Sequence, residues 1–239
     1  MNKKKNALLW EIKGEWKTPS YLFGTMHVRD NRAFGYQALA EEKILACDVY
    51  AAEMNLDEIN QVAMADSMDL DADLSLSTLI KPKVYKRLEK LFLRQVGMPL
   101  AIFDQNQPIL VSNLITESLL SKDTPLSLDA TLWHFARDHE KIMLGIETFE
   151  EQLDILARIP LEYQVKALSD MTRNFKKFRN QLLKLTDLYQ EGNIRQLYKS
   201  SKKQAGKMRK LMFYDRNKIM ADRIARLVEE QSAFVAIGA

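Results

Sequence analysis

Three apolar runs in this sequence close on side chains that can do chemistry: Tyr21 to His27, Asp48 to Glu53, and Lys141 to Glu147. Runs of this length read as buried strands, and α/β proteins gather their ligands outside the carboxyl ends of such strands. An imidazole placed there suits a general base or a metal ligand. A carboxylate at the end of a buried run needs a cation beside it, because an unpaired charge out of water is costly. One histidine with two glutamates fits an oxygen-rich divalent site better than a Ser-His-Asp triad. No Gly-x-Ser-x-Gly elbow and no glycine-rich phosphate loop occurs in the chain. Asp215-Arg216-Asn217 adds a permanently charged guanidinium, a natural orienter for a carboxylate or a reacting carbonyl. Each residue also has a plain structural alternative. His27 could bond a neighbouring carbonyl, Glu53 could start the next helix with Asn55 and Asp57, Glu147 could be a charge favoured at a helix start, and Arg216 could be a surface arginine. If Glu53 belongs to a cluster of carboxylates, Glu53→Gln relieves repulsion and leaves stability unchanged or raised.

The elements that must position these residues follow from periodicity. Leu8 to Ile12, turn residues Lys13 to Ser20 and Tyr21 to Gly24 predict a hairpin. Helical spacing from Phe34 to Ala46 leads into the run at Asp48, a β-α-β unit with an expected right-handed connection. Leu56 to Lys122 reads as helical, with Lys81-Pro82 at a helix start. Ser127 and Asp129 offer N-caps to a helix that feeds the strand Ile142 to Ile146, and Thr148 offers one to the helix from Phe149. From Phe149 to about Glu230 the pattern is helical, broken near Pro160, Gly192 and Gly206, before a last strand over Phe234 to Ile237. The expected fold class is α/β, a mixed sheet core of two related halves with a large helical insertion. The expected organisation is a single domain over 1–239. Its α/β core with a helical segment covers 1–148, a helical subdomain 149–230, and a returning core strand 231–239.

At 239 residues, with 46% hydrophobic and 28% charged side chains, the composition is that of a globular protein with a sizeable core. No window is long and apolar enough for a membrane span, and the short apolar stretch after the basic start does not read as a signal peptide. Cys47 is the single cysteine, which excludes an intrachain disulfide and a cysteine metal cluster. A cytoplasmic location is expected. Charge is asymmetric: Glu41 to Ile80 holds ten acids against Lys43, whereas Met171 to Arg223 holds fifteen basic residues against four acids. The basic stretch is either a solvated helix face or a surface for an anionic partner. Its aromatics are spaced for helix packing rather than base stacking, so nucleic acid is not expected. His134 and His139, five apart, do not share a helix face and read as structural.

Taken in order, these segments resemble the TraB/PrgY/GumN family, which includes the TIKI proteins. Leu9 to Ile12 followed by Gly24-Thr25-Met26-His27 resembles its first Gly-x-x-His strand. Asp48 to Glu53 resembles its second strand with an acidic end. Leu128 to Leu132 with Gly145-Ile146-Glu147-Thr148 and Glu151-Gln152 resembles its central block, and Arg216-Asn217-x-x-Met220 its Arg-Asn-x-x-Met helix. Arg137 to Lys141 departs from the pattern, which more often has a glycine before the lysine. The resemblance implies a divalent-metal-dependent hydrolase, protease-like, in which a metal-activated water attacks a peptide or related carbonyl. It implies His27, Glu53 and Glu147 as catalytic residues, His27 and Glu53 as metal ligands, and Arg216 and Asn217 as substrate-binding residues. The metal would be manganese, cobalt or zinc, and the partner a peptide or protein substrate. The family pattern continues with a second Gly-x-x-His where this sequence ends, so weak activity, weak metal affinity and self-association through the strand near Phe234 are expected. The rival expectation is a non-catalytic peptide or small-molecule binding module with a basic helical docking surface.

Overall fold

The computed structural model describes residues 7–14 and 18–239. Residues 1–6 and 15–17, the latter in the expected hairpin turn, lie outside the described residues. In chain order the elements are β1 (Leu9–Ile12), β2 (Ser20–Thr25), α1 (Gln37–Leu45), β3 (Val49–Met54), α2 (Gln61–Asp66), α3 (Leu76–Leu79), α4 (Pro82–Val96) and α5 (Pro108–Leu119). There follow α6 (Leu128–Asp138), β4 (Ile142–Glu147), α7 (Phe149–Ala157), α8 (Leu161–Arg173), α9 (Phe175–Gln190), α10 (Ile194–Ala205), α11 (Arg216–Glu230) and β5 (Ala233–Gly238). They form two compact units that cut across sequence order. One comprises the chain up to Ile59 with Ser121–Gln152 and Leu185–Ala239; the other comprises Asn60–Leu120 and Leu153–Lys184.

The first unit is an α/β layer structure around a mixed sheet of order β1-β2-β5-β3-β4. β1 pairs antiparallel with β2, while β5 runs parallel to both β2 and β3, and β4 parallel to β3. β2, β5, β3 and β4 therefore all deliver their carboxyl ends to one edge. The inner strands are apolar on both faces, as a parallel sheet covered on both sides requires. On one face Val49, Ala51, Ala233 and Val235 pack against Met220, Ile224 and Val228 of α11. On the other, Phe234 stacks on Tyr50 with ring centroids 6.0 Å apart, and Trp133 of α6 meets Tyr50 edge-on at 6.0 Å.

β5 stands between β2 and β3 with both edges paired, and Phe234 is fully buried. The expectation that this strand offers a free edge for self-association is thereby overturned; β1 and β4 are the outer strands. The reason is legible in β5 itself, where Ala233-Phe234-Val235-Ala236 is buried residue after residue, the pattern of a central strand.

The second unit is helical. Leu76, Ile80, Leu88, Phe92, Leu100, Val111, Ile115 and Leu168, drawn from α3, α4, α5, α8 and adjoining turns, form its core. α4 has Pro82 at its first position and ends on Gly97 in the left-handed region, φ 82°. Among the described residues no helix is long and apolar enough to cross a membrane.

Candidate functional site

The carboxyl edge of the parallel strands gathers the side chains the sequence singles out. Glu147 closes β4 and Glu53 lies one residue before the end of β3, with Met54 in register with Glu147. The close approach of these two strand ends depends on Gly145. A Cβ there would stand 2.6 Å from the Asn55 nitrogen and 2.8 Å from the Glu147 carbonyl oxygen, both rigid backbone atoms. β5 ends beside them on Gly238, whose N–H donates to Glu53 Oε1 at 2.7 Å; a Cβ on Gly238 would sit 3.0 Å from that same oxygen.

The cation the two carboxylates need is Arg216. It opens α11 directly after a wide π-helical turn over Lys210–Asp215, a deformation that recurs at functional sites. Arg216 Nε donates to both Glu147 oxygens at 2.8 Å, and Nη2 donates to Glu147 Oε2 at 2.5 Å and to Glu53 Oε2 at 2.7 Å. Glu147 is 5% exposed, so this is a nearly dry, charge-assisted clamp. The two carboxylates hold the guanidinium proton well above its ordinary range, against the opposing effect of burial. Nη1 of Arg216 makes no hydrogen bond among the described residues. Because each carboxylate faces Arg216 rather than a bare neighbour, the Glu53→Gln expectation changes sign: the substitution removes a charge-assisted bond.

The clamp is braced from behind. Thr148 Oγ1 accepts from the Glu151 N–H at 3.2 Å and Glu151 Oε2 accepts from the Thr148 N–H at 2.9 Å, a reciprocal cap at the start of α7. Arg223, two helical turns along α11 from Arg216, grips both Glu151 oxygens at 2.7 Å and donates to the Ile146 carbonyl at 2.8 Å. Hydrogen bonds from Arg223 and from the Thr148 N–H hold the Glu151 carboxyl down at about 2. Thus α11 is tied to the end of β4 at two successive points.

His27 leaves the same edge two residues past β2. Its side chain is 84% exposed, with Nδ1 at 3.4 Å from Asp129 Oδ2 and 3.5 Å from Ser127 Oγ. Ser127 caps α6, accepting from the Ala130 N–H at 3.4 Å. Asp129, which reads from sequence only as a second possible cap, turns instead toward His27. Its Oδ2 is buried and has no hydrogen-bond donor among the described residues beyond that imidazole contact. Tyr189 fixes the strand end beneath by donating to the Gly24 carbonyl at 2.7 Å.

The structure thus joins Glu53, Glu147 and Arg216 and sets His27 on the same sheet edge with a partner of its own. Asn217 is exposed on α11. Sequence reasoning missed Asp129, Arg223 and the Gly238 N–H; the one local signal nearby is the pairing of Thr148 with Glu151 three residues on, the carboxylate that Arg223 grips. Among the described residues no three or more His, Cys, Asp or Glu side chains are grouped to hold one metal ion. The donor chemistry agrees: both oxygens of Glu53 and of Glu147 already accept hydrogen bonds from Arg216 or Gly238. The described residues do not fit a three-ligand divalent site.

Compared with known proteins, the chain matches the model of the TraB/PrgY/gumN family over residues 8–239. No curated protein and no solved structure matches the chain.

Proposed function

The chain belongs to the TraB/PrgY/gumN family, and from that membership and the sheet-edge geometry we propose that it hydrolyses a peptide or related amide carbonyl. The observation that carries the reading is the clamp on Arg216. Glu53 and Glu147 fix its Nε and Nη2, which leaves Nη1 as a preorganised donor for the oxygen on which negative charge develops. His27, with Nδ1 3.4 Å from Asp129 Oδ2, supplies the imidazole that takes a proton at Nε2.

In this reading the water oxygen attacks the carbonyl carbon while its proton passes to His27 Nε2. The resulting oxyanion is held by Arg216 Nη1. Collapse breaks the C–N bond, and His27 returns the proton to the leaving nitrogen. Glu53 and Glu147 act through Arg216 as positioning residues, Asp129 keeps the imidazole in one tautomer, and Asn217 beside Arg216 borders the substrate.

A second reading, peptide binding without turnover, is favoured by one observation. The oxygens of Glu53 and Glu147 are committed to hydrogen bonds, so neither carboxylate is placed as a free base. Incubation with a peptide mixture, read by mass spectrometry, separates the two. His27→Ala should lower turnover by about 10²–10⁴-fold while leaving the fold intact. Turnover in EDTA assigns water activation to His27. Turnover that requires added manganese, cobalt or zinc assigns it to a metal. Retained peptide binding with no cleavage under any of these conditions supports the second reading.

A further inference from the structure

The helical unit carries a charged feature that the sheet-edge chemistry does not use. α4 and α9 border a cleft of about 690 Å³ that runs into a second of about 340 Å³, the two sharing Arg87, Phe175 and Lys176. On α4, Arg87, Lys90 and Arg94 recur at helical spacing on one stripe. On α9, Lys177 and Lys184 share a stripe seven residues apart, flanked by Lys176 and by Arg173 at the end of α8. Among the described residues no carboxylate lines either cavity. Arg173 has Asp170 at 3.3 Å, whereas the other six cations make no ion pair among the described residues. Two of them, Lys176 and Lys177, stand in the first turn of α9, which carries no acid, where the helix dipole is itself positive. Like charges assembled at a helix start and across a cleft raise the energy of the free protein, and an anionic occupant relieves it.

We propose that this groove binds an acidic, extended polypeptide segment. Carboxylates would meet the two basic stripes, and the amides of Asn174, Asn180 and Gln181 would pair with the peptide N–H and C=O groups, being donors and acceptors both. The one aromatic among the described lining residues argues against nucleic acid: Phe175 is half-buried and already has Arg94 over its ring at 5.9 Å, whereas single strands need a series of stacking platforms.

The test is fluorescence anisotropy of a labelled Asp/Glu-rich dodecapeptide, with its Asn/Gln counterpart, a dT12 oligonucleotide and phosphatidylserine vesicles as competitors. The proposal requires that Arg87→Glu/Lys176→Glu weaken peptide binding at least tenfold, and that Arg87→Gln/Lys176→Gln weaken it by less. All the replaced side chains are exposed, so the fold is expected to survive, and circular dichroism checks this. Lys203→Glu/Lys207→Glu, with the same net charge change outside the groove, should leave affinity within twofold. Equal losses in the two charge-reversal pairs would reduce the effect to net charge and overturn the proposal. So would displacement of the peptide by the Asn/Gln counterpart, or tighter binding of the oligonucleotide or vesicles than of the peptide.

Discussion

Replacing Arg216 by methionine should cost the sheet-bearing unit on the order of 4 kcal/mol. The substitution strips Glu147, 5% exposed, of three hydrogen-bonding contacts and Glu53 of one. Removing one partner of a buried ion pair costs about 3–5 kcal/mol because the other charge stays dry and unpaired. Glu147→Gln, which leaves Arg216 its bond to Glu53, should cost about 2 kcal/mol. Once the guanidinium is gone, however, the neutral amide is the cheaper group to bury. The double variant should therefore cost about 3–4 kcal/mol rather than the sum of the singles, a coupling energy of about 2–3 kcal/mol. Urea unfolding followed by tryptophan fluorescence reads this directly, since Trp133 is buried under β3 against Tyr50. A coupling energy below about 0.5 kcal/mol, the additivity of independent sites, would refute the clamp.

Gly145→Ala places a methyl group 2.6 Å from the Asn55 nitrogen and should destabilise by about 1–3 kcal/mol. Gly35→Ala, where nothing lies within 4 Å, serves as the comparison, and equal melting temperatures for the two would contradict the close-approach argument. The Arg223–Glu151 pair should show itself in acid. The carboxyl is held at about 2, below its ordinary 4.5, so its contribution is complete above pH 4.5 and is lost as the pH falls toward 2. Both side chains are 38% exposed and solvent screens the pair, which limits the effect to about 1 kcal/mol. Glu151→Gln should flatten the acid limb of the stability curve by that amount, and an unchanged limb would count against the pair. Burial pushes the Cys47 thiol up to about 11, so at pH 8 an aromatic disulfide reagent should label the native protein roughly a hundredfold more slowly than the urea-unfolded chain. Immediate labelling would show Cys47 to be accessible.

The strand ends were legible because a parallel strand announces itself: an apolar run, then a polar residue where the sheet edge meets water. That pattern located His27, Glu53 and Glu147 without any knowledge of pairing. Pairing itself was not legible. β5 begins nearly 180 residues after the end of β3, and local sequence carries no term for which strands it joins. Its uninterrupted burial pattern could nevertheless have marked it as central rather than as an edge. Arg216 was recognisable as an orienting cation, but that it binds both glutamates at once depends on where α11 begins, and a π-helical turn of six residues sets that start. Asp129 was hidden for a related reason. In sequence it is one of two polar residues at a helix start, and only the tertiary placement of α6 beside the end of β2 turns it toward His27. The division into units was equally invisible, since contacts between residues 60–120 and 153–184 join segments that α6, β4 and the start of α7 separate in sequence.

Hydrolysis by His27 and Arg216 at the sheet edge is the function proposed for this chain. Its most direct test is cleavage of a defined peptide in water enriched in oxygen-18. The account predicts one labelled oxygen in the new carboxyl group for the wild type, no label above background with His27→Gln, and a reduced kcat at similar KM with Arg216→Lys. Wild-type rates of label incorporation by His27→Gln would contradict it.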